Sequence, residues 1–268
     1  MNLADLKPYL AFGLLALLLL WETVAPFLVF PEGRARLVHG LRNVLLGVGN
    51  GLFTAFAFAG IWWFTAETSA KHGIGLLHWL SWSAVTEGIL AVLLLDLWTY
   101  AWHRLNHRLT FLWRFHRVHH SDPHMDVTTA NRFHLGEIVL SSVLRIPLIF
   151  LLGIQLEQLA IYEMLMFAVV QFHHANISLG SRGDRVLSWF IVTPFMHKVH
   201  HSRYQPETDS NYASFLSVWD RLFRSFRRSD DPASLRLGLD EFSDARSQTL
   251  AGMLATPLAS KPRPHDSP

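Results

Sequence analysis

The sequence predicts an all-α integral membrane protein, with about four to five transmembrane helices and a helical, histidine-rich cap on their cytoplasmic ends. Three observations predict it. Half of the 268 residues are hydrophobic and only 16% are charged, against roughly 25% charged in a soluble domain. Several apolar runs approach the roughly 20 residues that cross a bilayer as helix. Twelve of the sixteen histidines crowd between His103 and His201, mostly at spacings that place side chains on one helix face.

The first run, YLAFGLLALLLLWETVAPFLVF (residues 9–30), reads as an uncleaved membrane helix. It is longer than a signal-peptide core, only Lys7 precedes it as a basic residue, and no small-x-small cleavage site follows. A second span is expected over about 44–65 and a third over about 76–102, the latter containing Glu87 and Asp96. The runs 138–152 and 159–172 are each short; with GIQLEQ between them they read as a hairpin entering and leaving on one side. Beyond Arg182 the chain is polar and amphipathic, and from Arg227 it is expected to form a partly disordered tail ending in SKPRPHDSP.

Basic residues set an orientation. Arg34, Arg36 and Arg42 follow the first span, and Arg104, Arg108, Arg114, Arg117 and Arg132 follow the third, whereas the opposite loops carry only Lys71. Basic loops stay in the cytoplasm, so five spans put the N-terminus outside and the C-terminus inside. A net charge of +2 gives no case for nucleic acid. The chain has no Cys, which removes disulfides, thiolate metal sites, iron–sulfur clusters and Cys nucleophiles. Any transition metal must then be held by imidazole and carboxylate.

The histidines fall into spaced sets: His103 with His107; His116 with His119 and His120; His197 with His200 and His201. The last two sets stand in the matching words HRVHHS and HKVHHS. On a helix each set presents converging imidazoles. Eight exceed what one ion can coordinate; His134 and one of His173 or His174 bring the number to ten, about five nitrogens for each of two ions. Iron, zinc, copper and nickel all suit such donors. His39, His72, His78, His124 and His265 read as bystanders. Asp96, seven residues before His103 and eleven before His107, shares their helical stripe and is expected to accept an N–H from one of them. Asn176, Asp209, Asn211 and Asp220 have two readings, orienting ligand imidazoles or forming caps and turns.

An intramembrane zinc protease would need His-Glu-x-x-His, which is absent. A metal transporter or sensor, which would string ligands along a membrane path, remains the alternative of a different class. No GxGxxG fingerprint of a flavin or nicotinamide site occurs.

The three histidine sets, with the words DLWTYAWHRLNH, LWRFHRVHHSDPHMDVTTANRFH and HKVHHSRYQPETDSNYASFLSVWDRLF around them, resemble the fatty acid hydroxylase/sterol desaturase superfamily over about 85–226. With the apolar runs and the polar end, this divides the chain into N-terminal membrane helices over 1–75, a catalytic domain like that of the family over 76–226 and a cytoplasmic tail over 227–268. The resemblance implies a non-haem di-iron oxygenase that uses O2 and external electrons to hydroxylate an unactivated C–H bond of a fatty acyl, sterol or isoprenoid lipid. Desaturation, or monooxygenation of an ether lipid, is the alternative on the same centre. The implied ligands are His103, His107, His116, His119, His120, His134, His174, His197, His200 and His201, with His173 less secure. His134 stands in NRFHLGE, with Leu135 where the family usually has Pro. Zinc can replace iron in such a site on purification. Electrons are expected from a separate ferredoxin or cytochrome b5 type protein with its reductase, and the location expected is a bacterial inner membrane with the site facing the cytoplasm. The two hexads are read as halves of one metal cage, each aiming three imidazoles at one point.

Overall fold

The computed structural model describes residues 3–30, 33–79 and 82–260. The helices are α1 (Leu3–Val24), α2 (Arg34–His72), α3 (Ala84–Arg108), α4 (Thr110–His120), α5 (Leu135–Leu152), α6 (Leu156–His174), α7 (Gly180–Leu187), α8 (Pro194–His200), α9 (Gln205–Thr208), α10 (Val218–Leu222) and α11 (Leu250–Ala255). Among the described residues there is no strand, only the isolated bridges Ile191–Leu216 and Ser202–Leu237. The fold is all-helical.

Three stretches are long and apolar enough to cross a membrane: Arg34–Trp79, Ala84–Arg108 and Leu135–Leu152. The described apolar part of α1, Gly13–Val24, is shorter. At 39 residues α2 rises ~58 Å, well beyond a hydrocarbon core of about 30 Å and beyond the span expected over 44–65. Its excess length carries Arg36, His39 and Asn43 down beside the cap.

Local chemistry sets the boundaries. Ser83 opens α3 by accepting from Thr86 N (3.2 Å), and Thr193 with Pro194 at the first turn opens α8. Gly73 ends α2 and Gly153 ends α5, both left-handed (φ 60° and 73°). Nearby Gly75 (φ 116°) passes so close that a Cβ there would meet Gly153 N at 2.3 Å, which locks the α2 exit against the α5 exit.

In the membrane part α2 packs on α5 and α3 on α6. Phe58, Trp62, Ala66, Ala91, Leu95, Ile149, Leu159 and Tyr162 fill the space between them. Trp62 Nε1 donates to Ser142 O (3.1 Å), and the Arg145 guanidinium lies 4.8 Å over the Trp62 ring. Only about a fifth of each spanning window is buried by protein, as lipid-facing helices require.

Around the second half of α3 and beyond its end the chain folds into a cap whose core is polar. Residues 227–260, expected as a loose tail, pack back onto it as far as they are described. Arg117 donates to Thr256 O (2.5 Å) and Ala259 O (2.8 Å), and Gln248 bonds Arg132 and Ser121 O. Met253 is buried with Leu46 and Val118. The tail residues from Lys261 on, with bystander His265, lie outside the described residues.

Candidate metal centre

The cap brings nine of the predicted imidazoles into two buried groups. Five come from His103, His107, His116, His120 and His200, and four from His119, His174, His197 and His201; within each group the ligand atoms lie within 4.8 Å of one another. The hexads therefore do not each aim at one point. On a helix i and i+4 lie ~40° apart in azimuth, while i+3 and i+4 diverge by ~100°. His116 and His120 accordingly face one group and His119 the other; His197 and His201 face the second group and His200 the first. Each hexad straddles both groups, contributing two imidazoles to one and one to the other. The groups share a wall, where the His120 and His201 rings stack at 4.5 Å.

Hydrogen bonds fix which nitrogen faces inward. His103 Nδ1 donates to Tyr212 O, His200 Nδ1 to Ser210 O and His174 Nδ1 to Val170 O, each at 2.7 Å. A carbonyl oxygen only accepts, so these neutral rings carry their proton on Nδ1 and leave Nε2 bare. Yet His103 and His200 point their Nε2 atoms at each other at 3.0 Å, and His174 Nε2 lies 3.1 Å from both His119 Nε2 and His197 Nε2. Facing lone pairs repel unless a cation lies between them, and nitrogens bound at ~2.1 Å around one ion sit ~3.0–3.4 Å apart. The donor set fits transition-metal ions. Burial pushes the His200 imidazole down to about 3. Burial, then neighbouring imidazoles, depress His119, His120, His197 and His201 too, keeping the rings neutral and able to ligate.

One loop orients much of the five-histidine group. From Asp209 to Tyr212 it presents the Asp209 carboxylate 3.5 Å from His107 Nδ1, Ser210 O to His200 and Tyr212 O to His103. Asn211 sits at its apex in the left-handed region (φ 51°) and ties the loop to Met196 O and to both backbone groups of Arg227. Asp220 accepts from Tyr212 N (2.8 Å) and Ala213 N (3.0 Å). Of these residues only Asp209 faces a ligand ring; Asn211 and Asp220 hold the backbone that does.

Sequence reasoning missed Glu137. Its carboxylate accepts from His116 Nδ1 at 2.9 Å and Asn106 Nδ2 at 3.2 Å. It stands in NRFHLGE, three residues after His134, and an acid close to a histidine at the head of an apolar run was the available signal. Asp122, two residues after His120, was also missed. It braces the end of α4 by accepting from His39 Nε2 (2.9 Å) and Thr129 Oγ1 (2.8 Å). Burial opposes its charge, but His39 and Arg132 beside it hold the carboxyl well below the usual range.

Three expected residues lie elsewhere. His134 belongs to neither group: its Nδ1 accepts from Gly136 N at 2.9 Å, capping α5, and its Nε2 reaches Leu254 O at 3.2 Å. Asp96 shares a stripe with His103, but seven residues rise ~10 Å, too far for contact. It accepts instead from Trp219 Nε1 (2.7 Å) and Leu216 N (3.0 Å). Asn176 bonds both backbone groups of Leu28, pinning the segment after α1 to the end of α6. His173 is buried against His197, ring centroids 3.9 Å apart, at the edge of the four-histidine group.

The fatty acid hydroxylase family model matches residues 88–225, the stretch that holds all nine grouped imidazoles. The chain is 28% identical to ornithine lipid hydroxylase OlsE of Rhizobium tropici over 68% of its own length and 53% of the relative's. It is 32% identical to alkylglycerol monooxygenase of Danio rerio, over 57% of its length and 33% of the relative's. It is 26% identical to cholesterol 25-hydroxylase of Mus musculus, over 60% and 58%. The chain thus spans about a third to three-fifths of these relatives. No solved structure gives a significant match.

Proposed function

The chain belongs to the fatty acid hydroxylase family, and from that premise we propose that it is a membrane-bound di-iron oxygenase hydroxylating an unactivated C–H bond of a lipid. The observation that carries this reading is the pair of abutting groups of inward-facing, bare imidazole nitrogens inside the matched segment. His103, His107, His116, His120 and His200 would hold one iron and His119, His174, His197 and His201 the other, with His173 as a further donor. When bound, two redox-active irons supply the reduction of O2 and the oxidising power for C–H cleavage.

The chain's own residues do the rest. Tyr212 O, Ser210 O, Val170 O and Glu137 hold Nδ1 protons outward, so the Nε2 lone pairs stay aimed inward. The ligand rings are nine-tenths or more buried, so bulk water is kept from the reacting centre. Electrons come from a separate ferredoxin or cytochrome b5 type protein with its reductase. The relatives' names all denote oxidation of a lipid, which supports a lipid substrate drawn from the bilayer. Likeness to alkylglycerol monooxygenase supports a second reading, hydroxylation next to an ether oxygen; desaturation would use the same ligands. A transporter would spread its ligands along a path, whereas these converge. The location we read is a bacterial inner membrane; the basic loops support an orientation with the cap in the cytoplasm and the N-terminus outside, and α1 and α6 would then complete five spans.

Metal analysis of purified protein, then lipid profiling of cells with and without it under O2, tests the proposal. About two irons per chain and one lipid class gaining a single oxygen are expected. Iron-replete protein that binds no iron, or that moves metal across vesicles without oxidising lipid, would overturn it.

A further inference from the structure

The cap carries an apolar surface that the metal groups do not use. Trp189 and Phe190, in the turn after α7, are 64% and 67% exposed, and Val186, Val218 and Leu222 are exposed beside them. These side chains form one ridge. Ser217 N donates to Phe190 O (3.2 Å), Ser217 Oγ to Ser188 O (2.7 Å), and the Arg221 guanidinium lies 4.5 Å over the Trp189 ring.

Asp96 fixes the level of this ridge. It stands two turns before His103 on α3 and accepts from Leu216 N and Trp219 Nε1, while Tyr100, one turn nearer the cap, stacks on Phe223 at 5.3 Å. Residues 216–219 therefore lie alongside a helix that can cross a membrane, not beyond its end. A surface at that level faces whatever surrounds the helix. Every exposed charge on α7, and from α10 as far as Arg228, is basic; the first exposed acids are Asp230 and Asp231. On α7 Arg182 and Arg185 are exposed and Asp184 is buried; after α10 Arg224 and Arg227 are exposed and Asp220 is buried. Aromatic side chains flanked by arginine are the composition of a helix lying in the headgroup layer.

We propose that Trp189, Phe190, Val218 and Leu222 form an in-plane membrane anchor, which seats the cap in the acyl–headgroup boundary of an anionic phospholipid bilayer. The arginines meet lipid phosphates while the ridge enters the acyl region. Because α8 begins four residues after Phe190, the anchor holds the second hexad against the bilayer. The inference rests on α3 crossing the membrane and not on the oxygenase reading, so catalysis is not its readout.

The chain has no native Cys, so Phe190→Cys and Leu222→Cys each give the full chain a single thiol for an environment-sensitive fluorophore. Ile89→Cys, on the exposed side of α3, and Ser243→Cys, exposed after α10, are references. All four are reconstituted in phosphatidylcholine vesicles with phosphatidylglycerol, and unchanged metal content shows that each has folded. Labels at 190 and 222 are expected to show blue-shifted emission, quenching by shallow nitroxide lipids and resistance to aqueous iodide, like the label at 89 and unlike that at 243. Omitting phosphatidylglycerol should raise iodide access at both. Iodide reaching 190 and 222 as readily as 243 overturns the proposal, and so does shielding from both quenchers, which means a protein cover. A label at 89 that lipid does not reach removes the premise and the proposal with it. Iodide access indifferent to phosphatidylglycerol overturns the role given to the arginines.

Discussion

In the five-histidine group four Nδ1 atoms face an acceptor: His103 meets Tyr212 O, His200 meets Ser210 O, His116 meets Glu137 and His107 lies near Asp209. In the four-histidine group only His174 does, through Val170 O, and the buried Nδ1 atoms of His119, His197 and His201 have no hydrogen-bond partner among the described residues. Two of the first group's acceptors are carboxylates, which raise imidazole basicity as well as orient the ring. Similar ligands thus stand in unlike supports. The first group is preorganised by an outer layer, while the second is positioned chiefly by helix spacing and packing.

The largest effect should come from breaking either group. His200→Ala in one and His197→Ala in the other are each expected to abolish turnover, with product formation in reconstituted membranes as the measure; a substantial remainder after either would mean that the groups work independently. Next comes Glu137→Gln, which leaves the His116 N–H without its charged acceptor. A 10–100-fold loss of metal affinity or activity is expected, read by chelator titration, with the five-histidine group losing its advantage. In the unaltered protein the same titration should release metal in two steps, the four-histidine group first, and simultaneous release of both equivalents would refute the asymmetry.

Acidity probes both groups together. His119, His120, His197, His200 and His201 are depressed by burial, His200 from 6.5 to about 3. Above pH ~6.5 both folded and unfolded chains keep these rings neutral, and their contribution to stability is fully present. As pH falls, the unfolded chain takes protons that the native state refuses, so stability is lost progressively down to about pH 3 for His200. Thermal unfolding of metal-free protein in detergent from pH 7 downward should show a falling Tm; a flat profile would refute neutral burial. The smallest effect is expected from Asp96→Asn, which weakens its bonds to Trp219 and Leu216 but touches neither group. A loss of about 1 kcal/mol in stability with metal content unchanged would separate it from the ligands.

Much of this was legible in one dimension. Apolar length marks α2 and α3 as able to cross a membrane, whereas the run of α5, read as short, gains its spanning length from the turn Leu135–Glu137; histidine spacing marks eight of the nine grouped imidazoles before any fold is known. What the spacing hides is direction. The 100° between adjacent histidines divides each hexad between two groups, and only the packing of α4 on α3 and the meeting of its imidazoles with His200 and His201 reveal the partners. Acceptors were harder still: Tyr212 O and Ser210 O are backbone atoms, to which residue identity gives no clue. His134 and Asp96 show the opposite error. Both stand where pattern places a functional group, but His134 turns its Nδ1 to Gly136 N, and Asp96 shares an azimuth with His103 without sharing a height.

The packing of residues 248–259 against α4 bears on how the cap is closed. A chain grown only as far as His201 already contains every grouped histidine. It still lacks the Thr256 and Ala259 carbonyls that receive Arg117 and the Gln248 side chain that receives Arg132. Arg132 keeps Val118 O, Asn43 and Ser121 as acceptors, whereas Arg117, next to His116, is left facing solvent where the tail would cover it. The histidine-bearing helices and the segment that closes over α4 are thus separate parts of the chain. A chain cut before Gln248 would keep the full set of imidazoles and lose the acceptors that close the scaffold beside His116, so the stretch 248–259 acts as a latch on a cage it does not itself line.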